Sequence, residues 1–161
     1  MPDSLHLTLT LAGAIGSGIV GGFFFAFSVC VMRALGDLPP QQGIAAMRRI
    51  NVVVINPWFM TAFLGTALVC VALTVTTLLR GSDATTFVLL AAALYVVGSF
   101  GVTMAFNVPR NNALERADPT GASAERLWAD YLVSWTRWNH VRTAASIAAA
   151  ALLMLALCRQ G

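Results

Sequence analysis

The chain has 161 residues, of which 58% are hydrophobic and only 11% are charged. With a mean hydropathy of +0.75, it carries more apolar surface than one soluble domain of this length can bury, so lipid must form part of its solvent. The net charge is +3, and the ten basic residues are all arginines that do not form the clustered face needed for duplex binding. Nucleic acid is therefore not an expected partner.

Four apolar segments are long enough to cross a bilayer as helices, which takes about 20 residues each. They cover about residues 5–32, 57–79, 85–106 and 141–157. The second begins with Asn56 and Pro57, a pair typical of a helix start, and a short turn at residues 80–84 joins it to the third. We predict an all-α fold: an integral membrane four-helix bundle that forms one domain over residues 1–161, with amphipathic interfacial helices in its long connections.

The arginines predict how the bundle is oriented. Eight of them lie in or beside the two long connections: Arg33, Arg48, Arg49, Arg110, Arg116, Arg126, Arg137 and Arg142. Only Arg80 and Arg159 lie on the opposite side. By the positive-inside rule, both long connections face the cytoplasm and both termini face outward, in a multi-pass protein of the inner (plasma) membrane. The first span is longer than the apolar core of a signal peptide, so we expect it to be retained.

The first span also carries a row of small residues at Ala14, Gly18 and Gly22. Such a row lets another helix backbone approach closely. Packing inside the bundle and a homodimer through the Gly18/Gly22 face would explain the row equally well.

A weak internal repeat is visible. A shift of 79 residues aligns Gly22, Ala26, Phe27, Val29, Ala34 and Leu35 with Gly101, Ala105, Phe106, Val108, Ala113 and Leu114, and a shift of 88 aligns Arg49, Asn51 and Val53 with Arg137, Asn139 and Val141. Chance matches among Ala, Val and Leu would produce part of this pattern. If the repeat is real, the chain is a tandem of two helix pairs, and Asn51 approaches Asn139 across the axis that relates them.

Residues 122–142 place aromatic and polar side chains on one helical face. At about 100° per residue, that face holds Trp128, Tyr131, Trp135, Trp138, Asn139 and Arg142. An interfacial aromatic belt explains Trp128 and Tyr131 better than a site does. Asn139 and Arg142 extend the face into the start of an apolar span, where unpaired polar groups are costly, so we interpret them as part of a site. His140 points away from this face.

The third span ends at Phe106, followed by Asn-Val-Pro-Arg-Asn-Asn. Pro109 predicts an extended residue before it and a new helix from its own position. Asn107 would then cap the new helix, a role that we weigh evenly against one in a site. Arg110 and Asn111 fall in the first turn of that helix, where a cation opposes the helix dipole. Arg110 is therefore expected to have a partner such as a carbonyl, a phenolate or a lipid phosphate.

Six stretches of the sequence form one recognisable set. They are Phe27-Ser28, Arg33-Ala-Leu35, Arg49-Ile-Asn51, Asn56-Pro57, Phe106-Asn-Val-Pro-Arg-Asn111 and Trp135-Thr-Arg-Trp-Asn-His-Val-Arg142. The set spans nearly the whole chain and resembles the small four-span membrane family usually labelled anthrone oxygenase-like. Its most specific elements are Asn-x-Pro-x-Asn and Trp-Asn-x-x-Arg. The resemblance implies conversion of an anthrone to an anthraquinone with molecular oxygen, although most relatives have no established substrate.

An anthrone has an acidified methylene, and its enolate can reduce oxygen directly without a metal or flavin. A protein site for this reaction needs a flat apolar slot, a cation that stabilises the enolate and hydrogen-bond donors for a developing peroxide. We assign catalysis to Arg142, Asn139, Asn107 and Arg110. We assign substrate binding to Trp135, Trp138, Asn111, Asn51 and Tyr131.

No cofactor is predicted, and O2 is the expected co-substrate. The histidines of the chain are His6 and His140, and no carboxylate lies within a span. A carboxylate–histidine di-iron site therefore cannot be built from these residues. A haem on His140 is disfavoured because no second ligand is obvious. The expected partners are the lipid bilayer and a hydrophobic aromatic small molecule.

The polar cluster is also compatible with two roles that involve no catalysis. The protein could bind a quinone-like lipid without turnover or serve as a small assembly or transport subunit. Alternatively, Arg110 and Arg142 could grip anionic headgroups at the membrane surface. The headgroup hypothesis predicts exposed guanidinium groups, whereas a site predicts buried ones.

Overall fold

The computed structural model describes residues 4–81, 83–119, 121 and 123–160, and every regular element within them is helical. The helices are α1 (Ser4–Gly36), α2 (Pro40–Val53), α3 (Pro57–Arg80), α4 (Thr85–Arg116) and α5 (Ala124–Gln160). All except α2 are long and apolar enough to cross a membrane. The predicted all-α, four-span, multi-pass architecture is confirmed. Ser82, in the predicted turn, and Ala122, at the start of the aromatic segment, lie outside the described residues.

Three of the spanning helices are longer than the apolar segments that predict them. Helix α1 continues to Gly36, α4 continues to Arg116, and α5 begins at Ala124. These polar extensions project from the apolar spans and form, together with α2, a second layer at one end of the bundle. The side of the membrane on which this end lies stays a prediction.

Helix α5 packs most extensively against α1, and it also contacts α4. Small residues permit this close approach. A Cβ atom at Gly21 of α1 would lie 3.0 Å from Ile147 Cγ1, and one at Gly98 of α4 would lie 2.7 Å from Ala145 Cβ. By contrast, a Cβ atom at Gly18 or Gly22 would meet nothing within 4 Å. The Gly18/Gly22 face is therefore not used inside the bundle, and the predicted homodimer through it stays a prediction.

Two π-helical turns shape the end of the bundle that holds the polar cluster. In α1 the turn covers Phe27–Val31, where the Met32 N–H donates to the Phe27 carbonyl five residues earlier. In α4 another covers Thr103–Asn107 and is closed by a bond from the Val108 N–H to the Thr103 carbonyl. Such turns are frequent at functional sites because they rotate the side chains that follow.

Helix α4 runs through Pro109, so the predicted break before the proline is wrong. Val108 has helical dihedral angles of −60° and −46°. The proline comes two residues after the end of the π-helical turn, which interrupts the regular hydrogen-bond ladder, so the missing N–H is accommodated there. Asn107 consequently makes no capping hydrogen bond, because there is no new helix for it to cap.

The second layer has its own apolar core. Ile44 and Met47 of α2 pack there with Leu114 of α4 and with Trp128 and Tyr131 of α5. Trp128 is 3% exposed and Tyr131 is 5% exposed. The interfacial-belt interpretation of these two rings is wrong, because α2 covers the face of α5 that would otherwise meet the headgroups.

Candidate functional site

Arg142 is a buried cation on α5. Its side chain lies among α1, α4 and α5, and the residue is only 4% exposed. The guanidinium carbon lies 4.0 Å from the centre of the Phe24 ring and 5.0 Å from that of the Trp135 ring. Cation–π contacts of this kind are strongest when the pair is desolvated. The burial contradicts the headgroup hypothesis for Arg142.

The polar partners of this guanidinium are all neutral. Nη2 donates to Asn139 Oδ1 at 2.6 Å, and Nη1 donates to Thr103 Oγ1 at 3.2 Å. Nε is buried without a hydrogen-bond partner. No carboxylate forms an ion pair with Arg142 within the part of the chain that the structure describes. A buried charge without a counter-charge is costly, so this arrangement favours an anionic ligand.

Asn139 fixes the position of Arg142. Its Nδ2 donates to the Phe24 carbonyl and to Ser28 Oγ, both at 2.7 Å. These bonds leave Oδ1 directed at the guanidinium. The amide therefore connects α1 to the buried cation, and the residue is fully buried.

A cavity of about 210 Å³ adjoins this cation. Its walls carry six aromatic rings, from Phe23, Phe24, Phe27, Phe59, Phe63 and Trp135. Its polar lining consists of Asn51, Thr103, Asn111 and Arg142. Ile55, which is 73% exposed, and Met104, which is 52% exposed, also line it and mark an opening on the lipid-facing side. A cavity of roughly 150 Å³ holds benzene, so this one accommodates a larger flat molecule.

The side-chain amide of Asn111 offers a hydrogen-bond donor, its NH2 group, to the cavity. Its Oδ1 accepts hydrogen bonds from Tyr131 Oη and Trp135 Nε1, each at 2.8 Å. Because an indole N–H can only donate, the Trp135 contact fixes which end of the amide is the oxygen. The Asn111 NH2 group is then the end left for a ligand. Asn51 also lines the cavity.

The structure brings six of the nine predicted site residues to the cavity or its immediate support. Arg142, Trp135, Asn111 and Asn51 line it, and Asn139 and Tyr131 hold lining residues in place. The hydrogen-bond partners of the Asn139 side chain among the described residues are Phe24, Ser28 and Arg142, and they do not include Asn51. The approach of these two asparagines that the internal repeat predicts stays a prediction.

Three predicted site residues lie outside the cavity lining. Trp138 stacks on Phe106, with ring centres 3.6 Å apart and an interplanar angle of 7°. Arg110 finds its expected partner in a carbonyl of its own helix, since Nη1 donates to the Phe106 oxygen at 2.7 Å. Asn107 is 1% exposed and donates from Nδ2 to the Trp135 carbonyl at 3.2 Å, while its Oδ1 has no partner.

Sequence reasoning missed Phe24, Ser28 and Thr103. Phe24 and Thr103 contact the guanidinium directly, and Ser28 accepts a hydrogen bond from Asn139. Ser28 and Thr103 lie within the π-helical turns of α1 and α4, and Phe24 lies three residues before the first of these turns. The one signal in the sequence was that Ser28 lies in the family-like stretch Phe27-Ser28. Helical periodicity alone gave no reason to choose any of the three residues.

Metal-binding residues do not converge in the described ranges. No group of three or more His, Cys, Asp or Glu side chains that could hold a metal ion is found there. His140 is exposed on the outer side of α5. The prediction that no cofactor is needed stays a prediction.

These features define a class: a four-span membrane protein with an aromatic cavity and a buried, uncompensated arginine. The family model for anthrone oxygenase matches residues 58–152, which is more than half of the chain. The chain therefore belongs to the anthrone oxygenase family, as its motifs predict. No curated protein and no solved structure gives a significant match.

Proposed function

We propose that the protein oxidises a flat, acidic aromatic substrate of the anthrone type with O2 inside the aromatic cavity. Arg142 carries this proposal, because a buried guanidinium without a carboxylate partner is built to receive an anion. Family membership supports an oxygenase-type reaction. The lipid-side opening suits a substrate that dissolves in the bilayer.

The substrate binds as its enolate or phenolate. No carboxylate, histidine or lysine is among the described residues that line the cavity, so the chain offers no obvious general base there. Arg142 instead stabilises the ionised form, whose proton is released to solvent as the substrate binds. The aromatic walls hold the ring system flat, and the Asn111 NH2 group donates to a second oxygen of the substrate.

The reaction then needs no external reductant. The carbanion carbon donates electrons to O2 and forms a C–O bond, which gives a peroxide that takes up a proton. Loss of the remaining C–H proton and cleavage of the O–O bond produce the ketone and hydroxide, which is protonated to water. The balance is CH2 plus O2 to C=O plus H2O. Arg142 and the Asn111 amide stabilise the negative charge as it moves onto oxygen.

Oxygen uptake by the purified full-length protein with emodin anthrone tests this proposal. The wild-type rate should exceed the spontaneous rate, and Arg142→Gln should lower the enzymatic rate roughly 100-fold or more, the usual effect of removing a preorganised charge-stabilising donor. Arg126→Gln is a matched control, because Arg126 is exposed and does not line the cavity. Equal rates in wild type and Arg142→Gln would contradict the proposal.

The alternative function is binding of a quinone-like lipid without turnover, as part of a small assembly or transport unit. The lipid-side opening marked by Ile55 and Met104 suits such a ligand equally well. One experimental result distinguishes the two functions. A binder would show Arg142-dependent retention of a hydroxylated anthraquinone but no oxygen uptake above the spontaneous rate.

A further inference from the structure

A second polar groove lies on the outer surface of the bundle, between α1 and α5 and away from the aromatic cavity. Its volume is about 420 Å³. Ser28 and Arg33 line it from α1, and Thr136, Arg137 and His140 line it from α5. The rest of its described lining is apolar and includes Val133, which is 73% exposed.

The groove carries positive charge without a counter-charge. Arg33 and Arg137 are both exposed, and no carboxylate is among the described lining residues. The salt bridge found in the described ranges joins Arg48 to Glu115 and involves neither arginine of the groove. The groove therefore suits an anion that can also touch apolar surface.

The position of the groove identifies the source of that anion. Arg33 follows the first apolar segment directly, and Arg137 and His140 come just before the fourth. The groove thus lies where the apolar spans end, at the depth of lipid headgroups. We propose that it binds the headgroup phosphate of an anionic phospholipid, whose acyl chains continue toward the membrane interior along the exposed apolar surface at Val29 and Val141.

The groove is also connected to the buried cation. Ser28 lines the groove and accepts a hydrogen bond from Asn139 Nδ2 at 2.7 Å. The same amide accepts the 2.6 Å hydrogen bond from Arg142. Since Ser28 Oγ is an acceptor in this contact, its O–H is available to donate to a phosphate oxygen. A bound headgroup would thereby stabilise the side chain that positions Arg142.

Native mass spectrometry of the full chain in detergent tests the proposal with phosphatidylglycerol and phosphatidylcholine as probes. One phosphatidylglycerol should be retained per chain in preference to phosphatidylcholine. Arg33→Gln combined with Arg137→Gln should weaken retention on the order of tenfold, since each basic residue near an anionic lipid contributes several-fold in affinity. Arg116→Gln combined with Arg126→Gln removes the same charge from exposed positions outside the groove and should leave retention unchanged.

Further variants keep the result interpretable if the glutamine pair folds poorly. Arg33→Lys with Arg137→Lys preserves the charge and should retain most of the lipid. Equal retention of phosphatidylglycerol and phosphatidylcholine, or equal loss in the control pair, would overturn the proposal. Displacement of the lipid by glycerol 3-phosphate at comparable concentration would identify a free phosphate, rather than a membrane lipid, as the ligand and would also overturn it.

Discussion

Asn139 Oδ1 accepts a 2.6 Å hydrogen bond from Arg142 Nη2, three residues further along the same helix. The acceptor is a neutral amide, so the contact orients the guanidinium without cancelling its charge. A carboxylate at the same position would accept the bond from Arg142 and remove the net charge, but it could not donate to the Phe24 carbonyl as the Asn139 NH2 group does. The choice of amide over carboxylate therefore distinguishes an anion-binding site from a structural ion pair.

The first prediction follows from this charge balance. Asn139→Asp should lower oxygen uptake with emodin anthrone about as much as Arg142→Gln does, roughly 100-fold, because the new carboxylate competes with the substrate anion for the guanidinium. Thr103→Val removes the 3.2 Å contact of Arg142 to a neutral hydroxyl, together with the bond from that hydroxyl to the Ser99 carbonyl, and should lower the rate a few-fold. Similar rates for wild type and Asn139→Asp would show that the charge of Arg142 is not used.

The second prediction concerns the orientation of the Asn111 amide. Tyr131→Phe removes one of two hydrogen bonds to Oδ1 and leaves the Trp135 contact in place, so KM should rise only a few-fold. Asn111→Leu removes the donor that faces the ligand and should reduce kcat/KM by roughly tenfold to 100-fold, as expected for a hydrogen bond to a charged oxygen. Steady-state kinetics on both variants give the comparison. A larger loss in Tyr131→Phe than in Asn111→Leu would contradict the assigned roles.

The third prediction uses two glycines as a matched pair. A Cβ atom at Gly43 would lie 2.6 Å from Trp128 Cζ2, whereas one at Gly18 would meet nothing within 4 Å. Gly43→Ala should destabilise the protein by about 1–3 kcal/mol through overpacking of α2 against α5. Gly18→Ala should stabilise it by roughly 0.5–1 kcal/mol, since alanine is the better helix former. Thermal unfolding in detergent measures both.

The same Gly18 position tests the predicted homodimer. Gly18→Leu combined with Gly22→Leu places bulk on a face that the monomer leaves open. If two copies pack through this face, the double variant should become monomeric by analytical ultracentrifugation in detergent while its helix content is unchanged. An unchanged sedimentation coefficient would remove this face as the dimer interface.

The last prediction concerns membrane orientation. Arginine distribution predicts that the C-terminus lies outside and that α2 faces the cytoplasm. A C-terminal alkaline phosphatase fusion should be active and a C-terminal green fluorescent protein fusion dark. The same reporters inserted after Asp118, in the connection between α4 and α5, should give the opposite pair of results. Reversed signals would move the cavity to the other side of the membrane.

Much of the architecture was predictable because it depends on local sequence. Span lengths follow from runs of apolar residues, and α3 begins at the Asn56-Pro57 pair, where the Asn56 side chain accepts from the Phe59 N–H at 3.1 Å. The face of α5 that carries Trp135, Asn139 and Arg142 follows from helical periodicity. These features need only the geometry of one helix, and the structure confirms them.

Three predictions failed where the outcome depends on neighbouring elements. Pro109 has the usual local signal of a helix break, but the π-helical turn before it lets α4 continue. Trp138 shares the predicted face with Trp135, yet it stacks on Phe106 outside the cavity. Trp128 is of a residue type that is common in interfacial aromatic belts, but α2 buries it. Each error came from a contact that a single helix cannot reveal.

The sequence by itself determined that the protein is a four-span helical bundle of the anthrone oxygenase family and that one face of its last helix is polar. Only the tertiary structure decided which members of that face meet a cavity. It placed Phe24 and Thr103 against Arg142 although both lie on different helices, far away along the chain. The physical reason is that the register and rotation of packed helices, together with the π-helical turns of α1 and α4, set which side chains converge, and no local pattern encodes that rotation.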